Sequence, residues 1–338
     1  MPKGTYPEET IQNAYYKART ILSVYDTVEV SLSGGSDSDV MLDLLYNIAK
    51  DRGWKDKYKY VFFDTGIEYE ATKRHLDYLE QRYGITIDRV RSNVPVPLGC
   101  KQYGLPFLSK YVSEMIDRLQ SVNFDFANDG YHSFHYLIEK YPNTISALRW
   151  WCDEREQNED GSPSQFSINR FPFLKAFLIE NPPPFRISAM CCKGAKKDTA
   201  HDYDESHKIE LKCTGERKAE GGARASKNSC FDESSHKLKP IFWFDDETKQ
   251  VYEQQHNIVH SDCYTVYGFK RTGCAGCPFN SRFANDVAIA EKYEPKLAKA
   301  IKNIFGQSYE YTEAYKRYKE YRKKNCENQI SLDLEVNE

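Results

Sequence analysis

The stretch VSLSGGSDSDVML, residues 30–42, decides the fold. An apolar run stops at Gly34 and Gly35, and apolar residues return at helical spacing from Val40. This pattern predicts a strand, a glycine turn and a helix. Backbone N–H groups and the dipole at the start of such a helix favour an anion, and glycine lets a phosphate approach closely. The stretch indicates a phosphate-binding loop, although two glycines alone would also suit a plain strand–helix turn.

The flanking sequence continues the same alternation. The patterns predict helices at 8–25, 39–50 and 70–83, the last ending at Gly84, and strands at 28–32, 59–63 and 85–90. Strands and helices that alternate in this rhythm predict an α/β fold with a doubly wound, mostly parallel sheet. Farther along, we expect helices over about 100–185, strands at 185–192 and 239–244, loops over most of 193–239, and helix over 284–325.

The composition argues against a secreted protein, a membrane protein and a general nucleic-acid-binding protein. The 338 residues are 40% hydrophobic, enough for a substantial core, and the net charge of −3 gives no general reason to bind nucleic acid. The N-terminal residues lack the apolar core of a signal peptide, and no apolar run approaches the ~18 residues that a membrane span needs. We therefore expect a cytoplasmic protein with no membrane association, whose ten cysteines are metal ligands, reactive thiols or buried residues rather than disulfides.

The loop itself carries a recognisable motif. Neither a Walker A sequence nor the Rossmann glycine fingerprint is present. Instead SGGSDS, residues 33–38, resembles the Ser-Gly-Gly-x-Asp-Ser loop of the ATP-pyrophosphatase (PP-loop) superfamily. The resemblance implies that six residues bind the pyrophosphate of a nucleotide, with Asp37 also catalytic: Ser33, Gly34, Gly35, Ser36, Asp37 and Ser38. The position usually held by lysine in that loop is Ser36 here, so one cation near the phosphates is missing.

A second motif follows the next predicted strand. Asp64 ends an apolar run, and in an open α/β sheet ligands bind at the carboxyl ends of the strands. An Asx turn explains the aspartate equally well. The segment FFDTGIEYEAT, residues 62–72, resembles the phosphoadenosine-phosphosulfate (PAPS) reductase branch of the same superfamily. The resemblance implies that Asp64 and Thr65 bind the nucleotide, with Asp64 catalytic or orienting a Mg²⁺ ion.

Two close cysteine pairs form the third feature. Cys191 and Cys192 are adjacent, and Cys274 and Cys277 follow as C-x-x-C 82 residues beyond Cys192. Such pairs in a cytosolic chain indicate a metal site, and an adjacent pair suits a [4Fe–4S] cluster better than a zinc knuckle. A redox dithiol and buried thiols are the alternatives. The spacing resembles the cluster pattern of adenylyl-sulfate reductases and of their relatives that activate sulfur for DNA phosphorothioation.

A basic loop, residues 213–226, lies between the cysteine pairs. Arg217 and Arg224 could bind phosphate or sulfate oxygens, although a solvated charged loop is the simpler interpretation. The loop resembles the G-x-R-x-x-E-x-x-x-R segment of the family, at Gly215, Arg217, Glu220 and Arg224. The resemblance implies that both arginines contact the nucleotide and that Arg217 is catalytic.

Together the motifs predict a nucleotide-binding domain over 1–283 and a helical extension over 284–338. The domain includes a helical insertion at about 100–185 and an iron–sulfur segment at 186–280.

The leading hypothesis is ATP-dependent adenylation coupled to sulfur transfer, with a sulfur donor such as a cysteine desulfurase and a nucleic acid or small molecule as acceptor. Two alternatives stay open. One is a reductase of adenylyl sulfate or PAPS that uses Cys326 and a reductant such as thioredoxin, although the reductases' C-terminal motif is absent. The other is a non-catalytic sensor or complex subunit, and a homodimer is compatible with each.

Overall fold

The computed structural model describes residues 6–154, 158 and 160–335, without the side chains of residues 223 and 326–335. The side chain of Cys326 therefore lies outside the described residues. The strands are β1 Val28–Leu32, β2 Tyr58–Asp64, β3 Ile87–Arg91, β4 Leu211–Thr214, β5 Phe231–Asp232 and β6 Lys237–Leu238. The helices are α1 Pro7–Leu22, α2 Ser36–Arg52, α3 Glu70–Tyr83, α4 Val96–Tyr103, α5 Lys110–Ser121, α6 Phe134–Lys140, α7 Ile145–Trp151, α8 Leu174–Glu180, α9 Met190–Cys192, α10 Thr199–His207, α11 Asp246–His256, α12 Asp262–Thr265, α13 Phe283–Tyr293 and α14 Pro295–Glu335.

The six strands form one mostly parallel sheet in the order β3-β2-β1-β4-β6-β5, in which only β5 runs antiparallel to its neighbour. The predicted α/β fold is confirmed. Val30 in β1 is paired with Tyr60 of β2 on one side and with Cys213 of β4 on the other. The chain therefore builds the sheet outward from β1 in one direction and later returns to the other side of β1. In sheets of this kind, ligands bind at the carboxyl ends of the strands flanking such a switch point.

Contacts divide the chain into two compact units. The first unit contains the sheet and comprises Met1–Pro95, Gly194–Ala275 and Lys292–Leu297; the second comprises Val96–Lys193, Gly276–Glu291 and Ala298–Glu338. The core of the first unit is built from β1, α2, α3 and their neighbours. The core of the second unit is rich in aromatic residues, and Trp150 and Trp151 in it are fully buried. No helix among the described residues is both long enough and apolar enough to cross a membrane.

The local predictions hold best near the glycine loop. Helix α3 spans the predicted 70–83 and ends at Gly84, which adopts the left-handed conformation with φ of 59°. The strand predicted at 185–192 is wrong, because only Ile187 forms a bridge, to Leu105, before a helical turn begins at Met190. The strand predicted at 239–244 is also wrong. Successive turns bury that apolar segment instead, with the Phe242 and Phe244 amides donating to the carbonyls of Lys239 and Ile241.

The segment 193–239, expected to be loops, holds α10 and strands β4, β5 and β6. Strand β4 has the sequence LKCT, which is too short for a clear alternating pattern. Its strand conformation comes from its parallel partners β1 and β6, which lie on either side of it. Sheet membership here was therefore decided by tertiary pairing rather than by local sequence.

Candidate nucleotide-binding site

The loop between β1 and α2 is a tight turn held by its own serines. Ser38 Oγ lies 3.0 Å from the Gly35 carbonyl, to which it donates, and accepts from the Ser33 amide at 3.3 Å. The Gly35 amide donates to Ser33 Oγ at 3.2 Å. The positive φ, 64°, belongs to Gly34, whereas Gly35 is the extended N-cap of α2 with φ of −93°. The helix therefore presents its first backbone N–H groups, which have no carbonyl partner within the helix, directly after the turn.

Glycine is required in this turn because neighbouring residues approach very closely. A Cβ at Gly34 would lie 2.5 Å from Thr72 Cγ2. A Cβ at Gly35 would meet the Tyr264 hydroxyl at 3.2 Å and Thr272 Oγ1 at 3.3 Å. Across the switch point, a Cβ at Gly215 after β4 would lie 2.9 Å from the carbonyl oxygen of Asp37. Elements distant in sequence thus enclose the loop from three directions.

A cavity of about 660 Å³ opens in front of the loop, entirely within the first unit. This volume lies within the range of small-molecule sites. The loop lines it with Ser33, Gly35, Ser36, Asp37 and Ser38. Six basic side chains also line it: Lys196, Arg217, Arg224, Lys249, Lys270 and Arg271. Backbone N–H groups and basic side chains together make a cavity suited to phosphate or sulfate groups.

Asp37 and Arg217 join the two loops that flank the switch point. Arg217 is only 7% exposed, and its Nε donates to Asp37 Oδ1 at 2.9 Å. Its Nη1 donates to Asp246 Oδ1 at 2.9 Å and to the Phe244 carbonyl at 3.3 Å. Burial opposes the charge, but the neighbouring carboxylates prevail and raise the pKa of Arg217 above its usual value. Two of the three predicted catalytic residues, Asp37 and Arg217, therefore lie at the cavity, and Asp37 holds the guanidinium in place.

Arg224 also lines the cavity, and its Nη1 lies 3.1 Å from Glu220 Oε1. Arg271 donates to the same carboxylate, and the other Glu220 oxygen accepts from the Arg217 amide at 3.1 Å. The Glu220 carboxylate thus contacts three donors at the rim of the cavity: the Arg224 and Arg271 side chains and the Arg217 amide. The sequence motif named Glu220 as a family match without assigning it this role.

These features can be compared with known proteins. Residues 27–113 match the family model described as the phosphoadenosine phosphosulfate reductase domain. The match covers this segment, about a quarter of the chain. It contains β1, the glycine loop, α2, β2, α3 and β3, so the family segment supplies the loop side of the cavity. The resemblance to PAPS reductases that the sequence motifs predicted is confirmed over this segment.

One curated relative is the uncharacterized protein MJ0066 of Methanocaldococcus jannaschii. It is 37% identical over 97 residues, which cover 28% of this chain and only 18% of the relative. Three solved structures are also similar. The first is the phosphoadenylyl-sulfate reductase of Candida auris in a phosphate complex, with a TM-score of 0.39, 12% identity and coverage of 81% of this chain and 98% of that one.

The second is the NH3-dependent NAD synthetase of Campylobacter jejuni in complex with nitrate, with a TM-score of 0.36, 12% identity and coverage of 91% and 96%. The third is the U34-tRNA thiolase NcsA of Methanococcus maripaludis with its [4Fe-4S] cluster, with a TM-score of 0.33, 15% identity and coverage of 93% and 80%. With TM-scores below 0.5, these three likenesses do not bear on the reaction of this chain.

Within the family segment, Asp64 and Thr65 are placed differently from the loop. Asp64 Oδ1 accepts from the Gly66 amide at 2.8 Å, which is the Asx turn that the sequence left open. Thr65 is fully buried and donates to Glu68 Oε1 at 2.5 Å. Among the described residues, neither Asp64 nor Thr65 lines the cavity, whereas Glu68 does. Burial raises the pKa of the Glu68 carboxyl above its usual value.

The sequence reasoning missed a chain of charged residues behind the loop. Lys249 of α11 lies 2.7 Å from both Ser36 Oγ and Asp37 Oδ1, and 3.5 Å from Glu253 Oε1. His260 continues the chain, with Nε2 2.8 Å from Glu253 Oε1 and Nδ1 2.8 Å from the buried Asp39. No motif marks Lys249 or His260. The only sequence signal was the absence of a cation from residues 33–38.

His260 should make the stability of the protein depend on pH. Burial lowers the pKa of His260, but the Asp39 and Glu253 carboxylates outweigh it and raise the value from 6.5 to about 9. The stabilisation is therefore complete below pH 6.5 and is lost as the pH rises through about 9. We expect the free energy of unfolding to fall by about 3 kcal/mol between pH 6.5 and pH 10 through this group.

Urea unfolding of the wild type and of His260→Gln at the two pH values measures this effect. The variant should lose the part of the pH dependence that His260 contributes. Equal pH dependence in the two proteins would contradict a protonated His260.

The four cysteines predicted to hold a cluster are divided between the two units. Cys274 belongs to the first unit, where its Sγ lies 3.5 Å from Thr65 Oγ1. Cys191, Cys192 and Cys277 belong to the second unit. There the Cys191 thiol is hydrogen-bonded with Cys100, which the sequence analysis left without a role, and with Cys192. The contact with Cys100, together with burial, raises the pKa of Cys191.

Among the described residues, no group of three or more His, Cys, Asp or Glu side chains is arranged to hold a metal ion. The cluster expected from the cysteine spacing therefore stays a prediction.

Proposed function

We propose that this chain binds ATP and transfers its adenylyl group to an acceptor, which activates that acceptor for sulfur transfer. The observation that carries the proposal is the cavity at the switch point, where a PP-loop of the PAPS reductase family faces six basic side chains. An uncharged substrate would need no such surroundings. A nucleotide polyphosphate matches both the backbone N–H groups of α2 and the basic rim.

The chemistry follows from where charge develops. An acceptor oxygen attacks the α-phosphorus, the bond to the bridging oxygen breaks, and pyrophosphate leaves with the negative charge. Residues 33–38 bind that pyrophosphate in this proposal, because the first turn of α2 lines the cavity and the first N–H groups of a helix favour an anion. Arg217 and Arg224 stabilise the charge that develops on the phosphates, and Asp37 orients Arg217. A Mg²⁺ ion held by Asp64 stays a prediction.

After adenylation, a sulfur nucleophile from a donor such as a cysteine desulfurase displaces AMP from the acceptor. The acceptor is a nucleic acid or a small molecule. In the same proposal, Cys191, Cys192, Cys274 and Cys277 hold a [4Fe–4S] cluster, an assignment supported by their spacing in the sequence. When bound, such a cluster would supply redox or sulfur chemistry. A homodimer and a cytoplasmic location also stay proposals.

Isothermal titration calorimetry with ATP, AMP and adenylyl sulfate tests the nucleotide site. We expect ATP to bind more tightly than AMP, because only ATP places a pyrophosphate on residues 33–38. Release of pyrophosphate from ATP in the presence of an acceptor would support adenylation. Wild-type protein that binds none of the three nucleotides would reject the proposal.

The reductase alternative is distinguished by Cys326. If the chain adenylates, Cys326→Ser should leave ATP affinity and pyrophosphate release unchanged within about twofold, because the thiol takes part in neither step. A reductase needs that thiol as its nucleophile. Sulfite release from adenylyl sulfate with reduced thioredoxin, abolished by Cys326→Ser, would replace adenylation with reduction. Nucleotide binding without either turnover would favour the sensor alternative.

A further inference from the structure

The glycine loop has no basic residue of its own, yet an ammonium group contacts it directly. Residues 33–38 contain three serines, two glycines and one aspartate. Lys249 lies 213 positions after Ser36 in sequence, and its Nζ is 2.7 Å from Ser36 Oγ. The same Nζ is 2.7 Å from Asp37 Oδ1, and Lys249 lines the cavity.

The helix that carries Lys249 is firmly placed. Asp245 caps the start of α11, with its side chain accepting from the Thr248 amide at 2.9 Å. Lys249 follows in the first turn, and its side chain is only 14% exposed. A lysine that is this deeply buried and faces a helix N-terminus differs from a solvated surface lysine, because its charge is only weakly screened by water.

Asp37 is shared between two cations at the loop. It accepts from both Arg217 Nε and Lys249 Nζ, while Arg217 has a second carboxylate partner in Asp246. Glu253, the other carboxylate near Lys249, is paired with His260 at 2.8 Å. His260 is in turn paired with Asp39, and Tyr264 lies against its ring. The protonated histidine thus balances Glu253, which would otherwise neutralise Lys249.

We propose that Lys249 supplies the cation of the PP-loop and binds the departing pyrophosphate of the nucleotide. This inference rests on the nucleotide site proposed above and names the residue that recognises the β- and γ-phosphates. On binding, the ammonium exchanges its hydrogen bond with Ser36 for phosphate oxygens while Asp37 continues to hold it. Lys249, which is remote from the loop in sequence, thereby provides the basic side chain that residues 33–38 lack.

Calorimetry on Lys249→Met tests the proposal with three probes: ATP, AMP and inorganic pyrophosphate. We expect ATP and pyrophosphate affinity to fall about 10- to 100-fold, the loss typical of a hydrogen bond to a charged group. AMP affinity should change by less than about threefold, because AMP lacks the phosphates that Lys249 contacts. Lys50→Met is the matched control, since Lys50 is exposed in the last turn of α2 and should alter neither affinity.

Restoring a cation from the loop itself separates phosphate binding from a structural role. In Lys249→Met, the further change Ser36→Lys should recover at least about tenfold of the lost ATP affinity. Equal losses for ATP and AMP, or no recovery in the double variant, would overturn the role of Lys249. Wild-type protein that binds pyrophosphate but no nucleotide would reject the proposed function and keep Lys249 as the anion ligand, provided that Lys249→Met lost it. Wild-type protein that binds neither would overturn both.

Discussion

Replacement of Gly34 by alanine is expected to abolish measurable ATP binding, with a loss of affinity of at least about 100-fold. Gly34 has φ of 64°, which costs an alanine about 1 kcal/mol, and its new Cβ would lie 2.5 Å from Thr72 Cγ2. To remove the clash with Thr72, the turn must move away from α3. Such a movement displaces the first N–H groups of α2 from the phosphates, and misplacement by about 1 Å costs a site of this kind about 100-fold.

The same helix provides a matched control for backbone strain. Gly53 ends α2 with φ of 71°, and a Cβ there would meet no atom within 4 Å. Gly53→Ala should therefore cost about 1 kcal/mol of stability without changing ATP affinity. Thr72→Ser removes the obstructing methyl group, so Gly34→Ala combined with Thr72→Ser should recover part of the binding. Unchanged affinity in a folded Gly34→Ala variant would contradict the role of the loop.

Removal of any one predicted cluster ligand is expected to eliminate bound iron. Protein purified without oxygen should be brown and contain about four iron and four sulfide per chain, as a cube held by four cysteines requires. Cys192→Ser and Cys277→Ser should each reduce iron to near zero, because three thiolates no longer retain the cube. Iron and sulfide analysis, with the absorbance near ~400 nm, measures the effect.

Two other cysteines make this experiment specific. Cys152 is partly exposed in the second unit and lies outside both cysteine pairs, so Cys152→Ser should retain the iron. Cys100 contacts the Cys191 thiol, so Cys100→Ser tests the ligand assignment directly. Iron that survives Cys192→Ser but disappears with Cys100→Ser would show that the adjacent pair was the wrong choice. A colourless preparation with one zinc per chain would refute the cluster.

The sequence alone was sufficient for the first half of the sheet and for its loop. The apolar run of β1, the two glycines and the helical spacing after them lie within 13 residues, 30–42. Helix α3 and its terminal Gly84 were also predicted correctly. These features depend on hydrogen bonds and apolar periodicity between residues close in the chain, so their pattern is visible without knowledge of any partner.

Only the tertiary structure decided which residues surround the loop. Arg217 contacts Asp37, 180 positions away in sequence, because the short strand β4 pairs with β1. The four residues of β4 do not predict this pairing. Lys249 reaches Ser36 from a helix without a motif. The structure also assigned the positive φ to Gly34, where Thr72 packs, rather than to Gly35. The physical reason is that strand order brings remote segments together, and that order is set by the burial of whole elements rather than by local sequence.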